Sequence, residues 1–583
     1  MMKKIFILST AFAAFGLVSR AQSTANLQVI HNCATPAAAI VDLYYFNGAI
    51  WTPTPAVADL GYREATGVFP VLAGVPNARV GIAAGSSTSV NDTLFSLPLP
   101  TLTAGESYVG IAAGLVGNGT TPFNIFFSGL QTTAPAGQVA VKVFHGSTNA
   151  PAVAAFDVND AVSPLIPSLA YGEFTSAYSN LDTGATTLAL TLSPDYNTMI
   201  SGFDLATGAA SGLGAVVFAS GLTGTGGDFK LFAALPDGTV LPFTPSDLCR
   251  AQVIHNAADP ALASVDVYVS VPLMNLDIPF AQSFAYKTAT PYIFLPVVPI
   301  SLAIKFTAPG GNPASPLATI PITLATNTTY ALIANGVAST AGGSFAHAVS
   351  VNGTAINFNL KVVNNAKVRS VTPGNVSITA VHHGVDAPAV DLNLNAAGTI
   401  TTLAGNVSYN GAALLDAPGA DIRLDVAVAG GAAVKAYTAP LSAFGNQALV
   451  VMASGFLTAA DENVANLQAF GLFAVPITGG EFIPLPEINI AGIANGTVST
   501  EKLDVYPNPA QSFVNVVIPA EMAENSSLMI TDMSGKVLKS VNALNQNQNN
   551  GVYMLDVDQM PSGIYTIIIT DGNSVFSSQL IKK

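Results

Sequence analysis

Six histidines occur in this chain of 583 residues, and four of them stand in the same local context. His31, His145, His255 and His382 lie 114, 110 and 127 residues apart. Each is followed by a small polar loop containing proline, then by an apolar residue and an aspartate that opens a new apolar run. These aspartates are Asp42, Asp157, Asp266 and Asp391. An imidazole paired with a carboxylate could build a metal site or move a proton. A zinc site asks for about four donors and a calcium site for roughly six to eight oxygens. Each repeat offers one His and one Asp. The further recurrent oxygen, four residues after the His, belongs to Thr35, Asn149, Asp259 or Asp386, so it is not reliably charged. That set is too small for a metal, and neither metal nor cofactor is expected. The alternative is architectural: the His sits at a core rim and hydrogen-bonds a loop carbonyl or its own Asp, because buried polar groups are normally paired within the fold.

The elements that must hold these residues read as strands. The fourth and second residues before each His are apolar: Leu27 and Val29, Val141 and Val143, Ala251 and Val253, Ile378 and Ala380. The third is polar: Gln28, Lys142, Gln252 and Thr379. A period of two places the His at a strand end, on the core-facing side. After the Asp the apolar residues alternate (Val267 and Val269, Leu392 and Leu394), so Asp266 and Asp391 face the other way, as strand-entry turn formers. A segment bearing Tyr62, Tyr171, Tyr286 or Tyr409 comes next, and later an apolar strand ending in Gly114, Gly221, Gly336 or Gly455. Short apolar runs between Gly, Pro, Asn and Asp, with no long helical period, predict an all-β protein. The expected architecture is four tandem β-sandwich modules of immunoglobulin-like kind at 22–134, 135–247, 248–370 and 371–487. A repeat of this length can bury its own core, so the modules are expected to be self-sufficient, like beads on a string. Cys33 and Cys249 would then be two separate structural thiols.

Composition narrows the function. Charged residues make up 9% of the chain and the net charge is −14, with no basic cluster after the first residues, which excludes nucleic-acid binding. Residues 1–21 carry Lys3 and Lys4, an apolar stretch from Ile5 to Val18 and the small-x-small signal Ser19-Arg20-Ala21, the pattern of a secretory signal peptide. The sequence has no Gly-x-Ser-x-Gly elbow, His-Glu-x-x-His, phosphate loop or Cys-x-x-Cys, so catalytic residues are expected to be none. The Gly-rich run at 221–229 reads as a hairpin turn. Trp51 is the single Trp, a poor supply of aromatic platforms for sugars; Tyr44, Tyr45 and Phe46 read as strand core. His347 and His383 have no counterparts between repeats and read as incidental.

Two resemblances add to this reading. The pattern from His382 to Leu392, with its Asp-Ala-Pro-Ala-Val-Asp run, resembles the bacterial extracellular domain of unknown function 4397. It extends over most of residues 27–487, looser in the first two repeats, and implies a location and an architecture without chemistry. Past a linker at 488–500, residues 501–583 carry Val-Tyr-Pro507-Asn508-Pro509, an Asp-x-x-Gly535-Lys turn, Gly563-Ile564-Tyr565 and a basic end at Lys582 and Lys583. This ordered set resembles the type A C-terminal sorting domain of the type IX secretion system, and the strand pattern predicts a small β-sandwich. That resemblance implies passage through the periplasm, recognition by the outer-membrane type IX machinery, and removal of the domain as the cargo is attached to surface lipopolysaccharide or released. The function expected is that of a non-enzymatic secreted or cell-surface protein, structural or adhesive, with an unknown extracellular ligand. The alternative is an extracellular polysaccharide- or polymer-binding protein.

Overall fold

A computed structural model describes residues 23–224, 227–298, 301–338, 353–396, 399–458, 467–488, 503–519, 526–532, 537–544, 551–570 and 575–583. The expected signal peptide, nearly all of the linker, His347, Ser534 and Gly535 lie outside them. Among the described residues regular structure is strand, broken only by single 3₁₀ turns of three or four residues. The runs that form strands are rich in Val, Ile, Phe and Tyr, whose branched or aromatic side chains suit a pleated, half-buried surface.

Counted from the His strand, every repeat contains two sheets with strand orders 4-1-7-8 and 3-2-5-6, some extended at one edge. In the third repeat, strand 4 is split into Thr288–Ala289 and Ile293–Pro296. The all-β expectation therefore holds, but the wiring is not that of an immunoglobulin sheet. There the first strand lies at the edge of an ABED sheet; here it is interior, antiparallel to strand 4 and parallel to strand 7. The parallel partners are Thr24–Asn32 with Ser107–Ala113, Gln138–His145 with Gly214–Ser220, Leu248–Asn256 with Thr329–Asn335, and Asn375–Gly384 with Ala448–Gly455.

The chain divides into two compact units. The first holds Met1–Asp391, Thr402–Ile422 and Ala439–Leu485; the second holds Leu392–Thr401, Arg423–Thr438 and Pro486–Lys583. In the first unit the His strand is buried on both faces. Leu27 and Val29 pack inward with Val41, Leu43, Val80 and Ile82. Ile30, pointing the other way, packs with Val109 and Ile111 of its own repeat and with Phe144, Val216 and Phe218 of the next. The same happens further on, where Ile254, Ala331 and Ile333 share a core with Val381, Val450 and Met452. Bead-like independence is thus overturned: neighbouring repeats bury apolar sheet faces against each other. A strand of the fourth repeat, Gly480–Glu481, even pairs with Thr288–Ala289 of the third.

In the second unit, the described residues of 503–583 form seven strands. Val505–Tyr506, Phe513–Val517 and Val552–Asp556 make one sheet; Val537–Leu544, Ser526–Thr531, Gly563–Thr570 and Val575–Lys582 make the other. Val514, Val516, Leu528, Ile530, Leu555, Ile567, Ile569 and Leu580 fill the core between them.

Candidate functional site

The four histidines are used alike. Nε2 of His31, His145, His255 and His382 bonds the carbonyl of Ala38, Pro151, Leu262 and Pro388, at 2.6, 3.1, 2.8 and 2.8 Å. A carbonyl only accepts, so Nε2 carries the proton. Nδ1 is then the acceptor, and the backbone N–H two residues on points to it from Cys33, Ala257 and Gly384 at 3.4, 3.4 and 3.2 Å. Nδ1 of His145 has no such partner. Of the two partners expected for the ring, the loop carbonyl is the one used. Each ring also meets the recurrent tyrosine edge-on: Tyr62, Tyr171, Tyr286 and Tyr409, with centroids 6.2 to 6.5 Å apart. The residue after that tyrosine has positive φ in every repeat (Arg63 66°, Gly172 81°, Lys287 62°, Asn410 63°). This turns its N–H back onto the His carbonyl at 2.7 to 2.9 Å. Burial lowers the pKa of all four histidines, that of His255 to about 4, and raises Tyr171, Tyr286 and Tyr409 to about 12. At neutral pH the rings are uncharged, buried and engaged, a poor basis for proton transfer with a solvent-borne substrate.

The aspartates do not form strand-entry turns in three of the four cases. Asp42 accepts from the N–H of Asp59 and from Ser87 Oγ, and Asp266 from the N–H groups of Ser283 and Gly310. Asp391 accepts from the N–H of Asn406. Asp59, Ser283 and Asn406 all have left-handed backbone, φ 50 to 54°. In the first and third repeats they lie where the register of strand 3 slips against strand 2. The carboxylate therefore holds a β-bulge in the neighbouring strand, a kink where an N–H leaves the ladder. Asp157 alone keeps to a local turn, accepting from both nitrogens of Asn159. The oxygen four residues after the His has its own job. Thr35, Asn149, Asp259 and Asp386 accept from the N–H of Val116, Thr223, Ala338 and Leu457, each two residues beyond the recurrent glycine. Those glycines have φ of 84 to 105°, and a Cβ at Gly336 or Gly455 would lie 2.5 Å from a backbone oxygen.

Several polar residues act between repeats, which sequence reasoning missed because polar positions on a strand ordinarily face water. Gln28 Nε2 donates to Leu235 O at 2.7 Å and Gln252 Nε2 to Pro476 O at 2.8 Å. Tyr62 and Ser220 share a hydrogen bond at 3.0 Å, Tyr286 and Ser454 one at 2.8 Å. Arg63 lies over Phe232 and Lys287 over Phe473, 4.9 and 4.1 Å from the ring centroids. The first and second repeats thus meet as the third and fourth do. One difference is that Asn335 Nδ2 donates to Tyr409 hydroxyl at 2.9 Å, whereas the corresponding residue of the first repeat is Ala113 and the Tyr171 hydroxyl has no partner among the described residues. His383 is not incidental: it is fully buried there, bonded to Asn410 Oδ1 at 3.3 Å and pushed down to about 3 by burial. Arg250, fully buried, lies against Phe156 and Phe294 and donates to Tyr196 O at 2.9 Å, joining the second repeat to the third. Cys33 and Cys249 are free and buried. No group of three or more His, Cys, Asp or Glu able to hold a metal occurs among the described residues.

In the C-terminal sandwich the predicted motif residues come together in part. Asn508, between Pro507 and Pro509, donates through Nδ2 to Gln579 O at 2.6 Å and accepts from the N–H of Ile581 at 2.8 Å. The Pro-Asn-Pro turn thereby fastens the last strand, with Lys583 N–H on Ala510 O at 2.9 Å. Gly563 pairs with Lys582 in the sheet. Tyr565 hydroxyl donates to Pro561 O at 2.7 Å, and Lys582 Nζ to Lys583 O at 2.6 Å. Gly535 lies outside the described residues.

Comparison with known proteins agrees with both resemblances. Residues 504–583 match the secretion system C-terminal sorting domain, and residues 25–156 match the domain of unknown function DUF4397. The second match begins in the first His strand and runs past His145 almost to Asp157. No curated protein matches the chain. Among solved structures, the Bacillus anthracis TIE protein aligns at 11% identity over 81% of this chain and 72% of its own, with a TM-score of 0.10. PorZ, a surface component of the type-IX secretion system of Porphyromonas gingivalis, aligns at 9% identity over 89% and 69%, with a TM-score of 0.12. Scores that low carry no argument about this fold. The sorting-domain match makes the chain a substrate of the type IX secretion system, exported to the cell surface or released, whose C-terminal domain interacts with that machinery.

Proposed function

We propose that the exported chain is a non-enzymatic surface or secreted protein whose repeats serve as spacer and adhesive modules. The observation that carries this reading is the commitment of the recurrent His, Tyr and Asp side chains to internal hydrogen bonds and packing, which leaves no shared reactive centre among the described residues of the repeats. Repetition suits adhesion, since weak sites in a row gain from multivalency. In this reading the chain that follows the signal peptide comprises repeats at 22–134, 135–247, 248–370 and 371–487, a linker at 488–500 and a sorting domain at 501–583. The signal peptide at 1–21 directs it to the periplasm. The sorting domain is then removed as the cargo is attached to lipopolysaccharide or released. The test compares the intact mature protein with albumin on polysaccharide arrays and on matrix-protein surfaces. Binding that grows with surface density and leaves the ligand unaltered supports adhesion; turnover of any arrayed polymer would replace this reading with a hydrolase. Solution binding of a defined glycan by the mature protein would favour the polymer-binding alternative.

A further inference from the structure

We propose that the outer face of the three-stranded sheet in the C-terminal sandwich, presenting Tyr506, Phe513 and Met554, is the surface that docks onto a protein component of the secretion machinery. The inference rests on the sorting-domain assignment and says where on that domain recognition occurs. Strand alternation separates the two faces of the sheet. Val505, Val514, Val516 and Leu555 pack into the core. Tyr506, Phe513 and Met554 point outward and are 50%, 46% and 64% exposed. The register brings them together: Tyr506 and Met554 flank Asn515 from the two neighbouring strands, and Phe513, opposite Asp556, is diagonal to Met554.

Three large apolar side chains gathered on one face contribute nothing to the core they turn away from. Tyr, Phe and Met are enriched at protein interfaces, and apolar clusters of this kind mark binding surfaces. The two motif tyrosines make the contrast plain. Tyr565 is buried and spends its hydroxyl on Pro561 O, whereas Tyr506, within the Val-Tyr-Pro-Asn-Pro motif, is held out in solvent. Charge selects the partner. The exposed carboxylates of Asp504 and Asp556 rim the face, Asp556 also accepting from the N–H of Asp558. Its three strands carry no Lys or Arg, and one ammonium group, Lys539 Nζ of the other sheet, meets the rim at Asp556 O, 2.8 Å away, leaving two carboxylates against one cation. A membrane or lipopolysaccharide surface, rich in phosphate, would be repelled, so the occupant is a protein with an apolar centre and a cationic rim.

The experiment expresses the full-length chain in an exporting host and measures the fraction reaching the surface or medium. The triple change Tyr506→Ser, Phe513→Ser, Met554→Ser is expected to lower that fraction at least tenfold, with uncleaved protein accumulating inside. Ile564→Ser with Ile581→Ser, a paired and exposed couple on the outer face of the opposite sheet, is expected to export normally. Asp556→Lys, which leaves the apolar side chains in place, is expected to lower export and guards against a triple variant that merely unfolds. Deletion of 501–583 sets the floor. Normal export of the deletion would overturn the sorting assignment itself. A blocked deletion with normal export of the triple and Asp556→Lys variants would overturn the docking face alone, as would loss of export in the isoleucine control.

Discussion

His255 shows what a buried imidazole does to stability. Its folded pKa, about 4, lies below the ordinary value of 6.5 because burial disfavours the charged ring. Between those values the unfolded chain binds the proton and the folded chain does not. The contribution is complete above pH 6.5 and is lost as pH falls towards 4, an effect of about 3 kcal/mol at most. We expect chemical-denaturation midpoints to drop across that window and the drop to be shallower in His255→Gln; an unchanged slope would remove His255 as its source. Replacing His382 with Ala deletes a buried ring and strands the carbonyl of Pro388. The expected cost is about 3 kcal/mol, with no change in metal content by elemental analysis. Stoichiometric metal that disappears in the variant would reverse the architectural reading. Gly336→Ala would force a Cβ to 2.5 Å from two backbone oxygens at φ 93°, and should cost at least about 2 kcal/mol by calorimetry.

At the scale of elements, the sequence signature proves to be a set of staples. His, Asp and the residue four after the His each anchor a different irregularity: a loop carbonyl, a bulge, and the turn beyond a left-handed glycine. Asp266→Ala should leave the N–H groups of Ser283 and Gly310 unpaired and cost about 3 kcal/mol. Hydrogen exchange should quicken first at Ser283; uniform quickening across the chain would show the bulge is not held locally. The position of the His on the core side of a strand was legible from Leu27, Val29 and their counterparts. The role of Asp266 was not, because a bulge in one strand that answers a carboxylate in another is a non-local pairing. Asp157 makes the same point: it stands 12 residues after its His, against 11 for Asp42 and Asp266, so it falls beyond the slip that strand 3 makes opposite Val153–Ala155 and serves a local turn instead. The C-terminal motifs were legible because Asn508 and Tyr565 act within a single short domain of ordered strands.

At the scale of the molecule, repeats meet in matched pairs. The bonds from Gln28 and Tyr62 into the second repeat reappear as bonds from Gln252 and Tyr286 into the fourth. A protease site placed at residues 135–137 should yield, after cleavage, fragments that still co-elute, held by the core of Ile30, Ile111, Phe144 and Phe218. Separation without denaturant would restore independent beads.

Alternation and motif order alone determined that this is an all-β chain with recurring His strands and a type IX sorting tail, since strand period and motif are local properties. Which faces stay dry was decided only in three dimensions. Gln28 and Gln252 read as solvent-facing on a strand, yet lie buried because a carbonyl from another repeat meets each amide. Burial of a polar group depends on a partner supplied from far along the chain, and no local pattern records that partner.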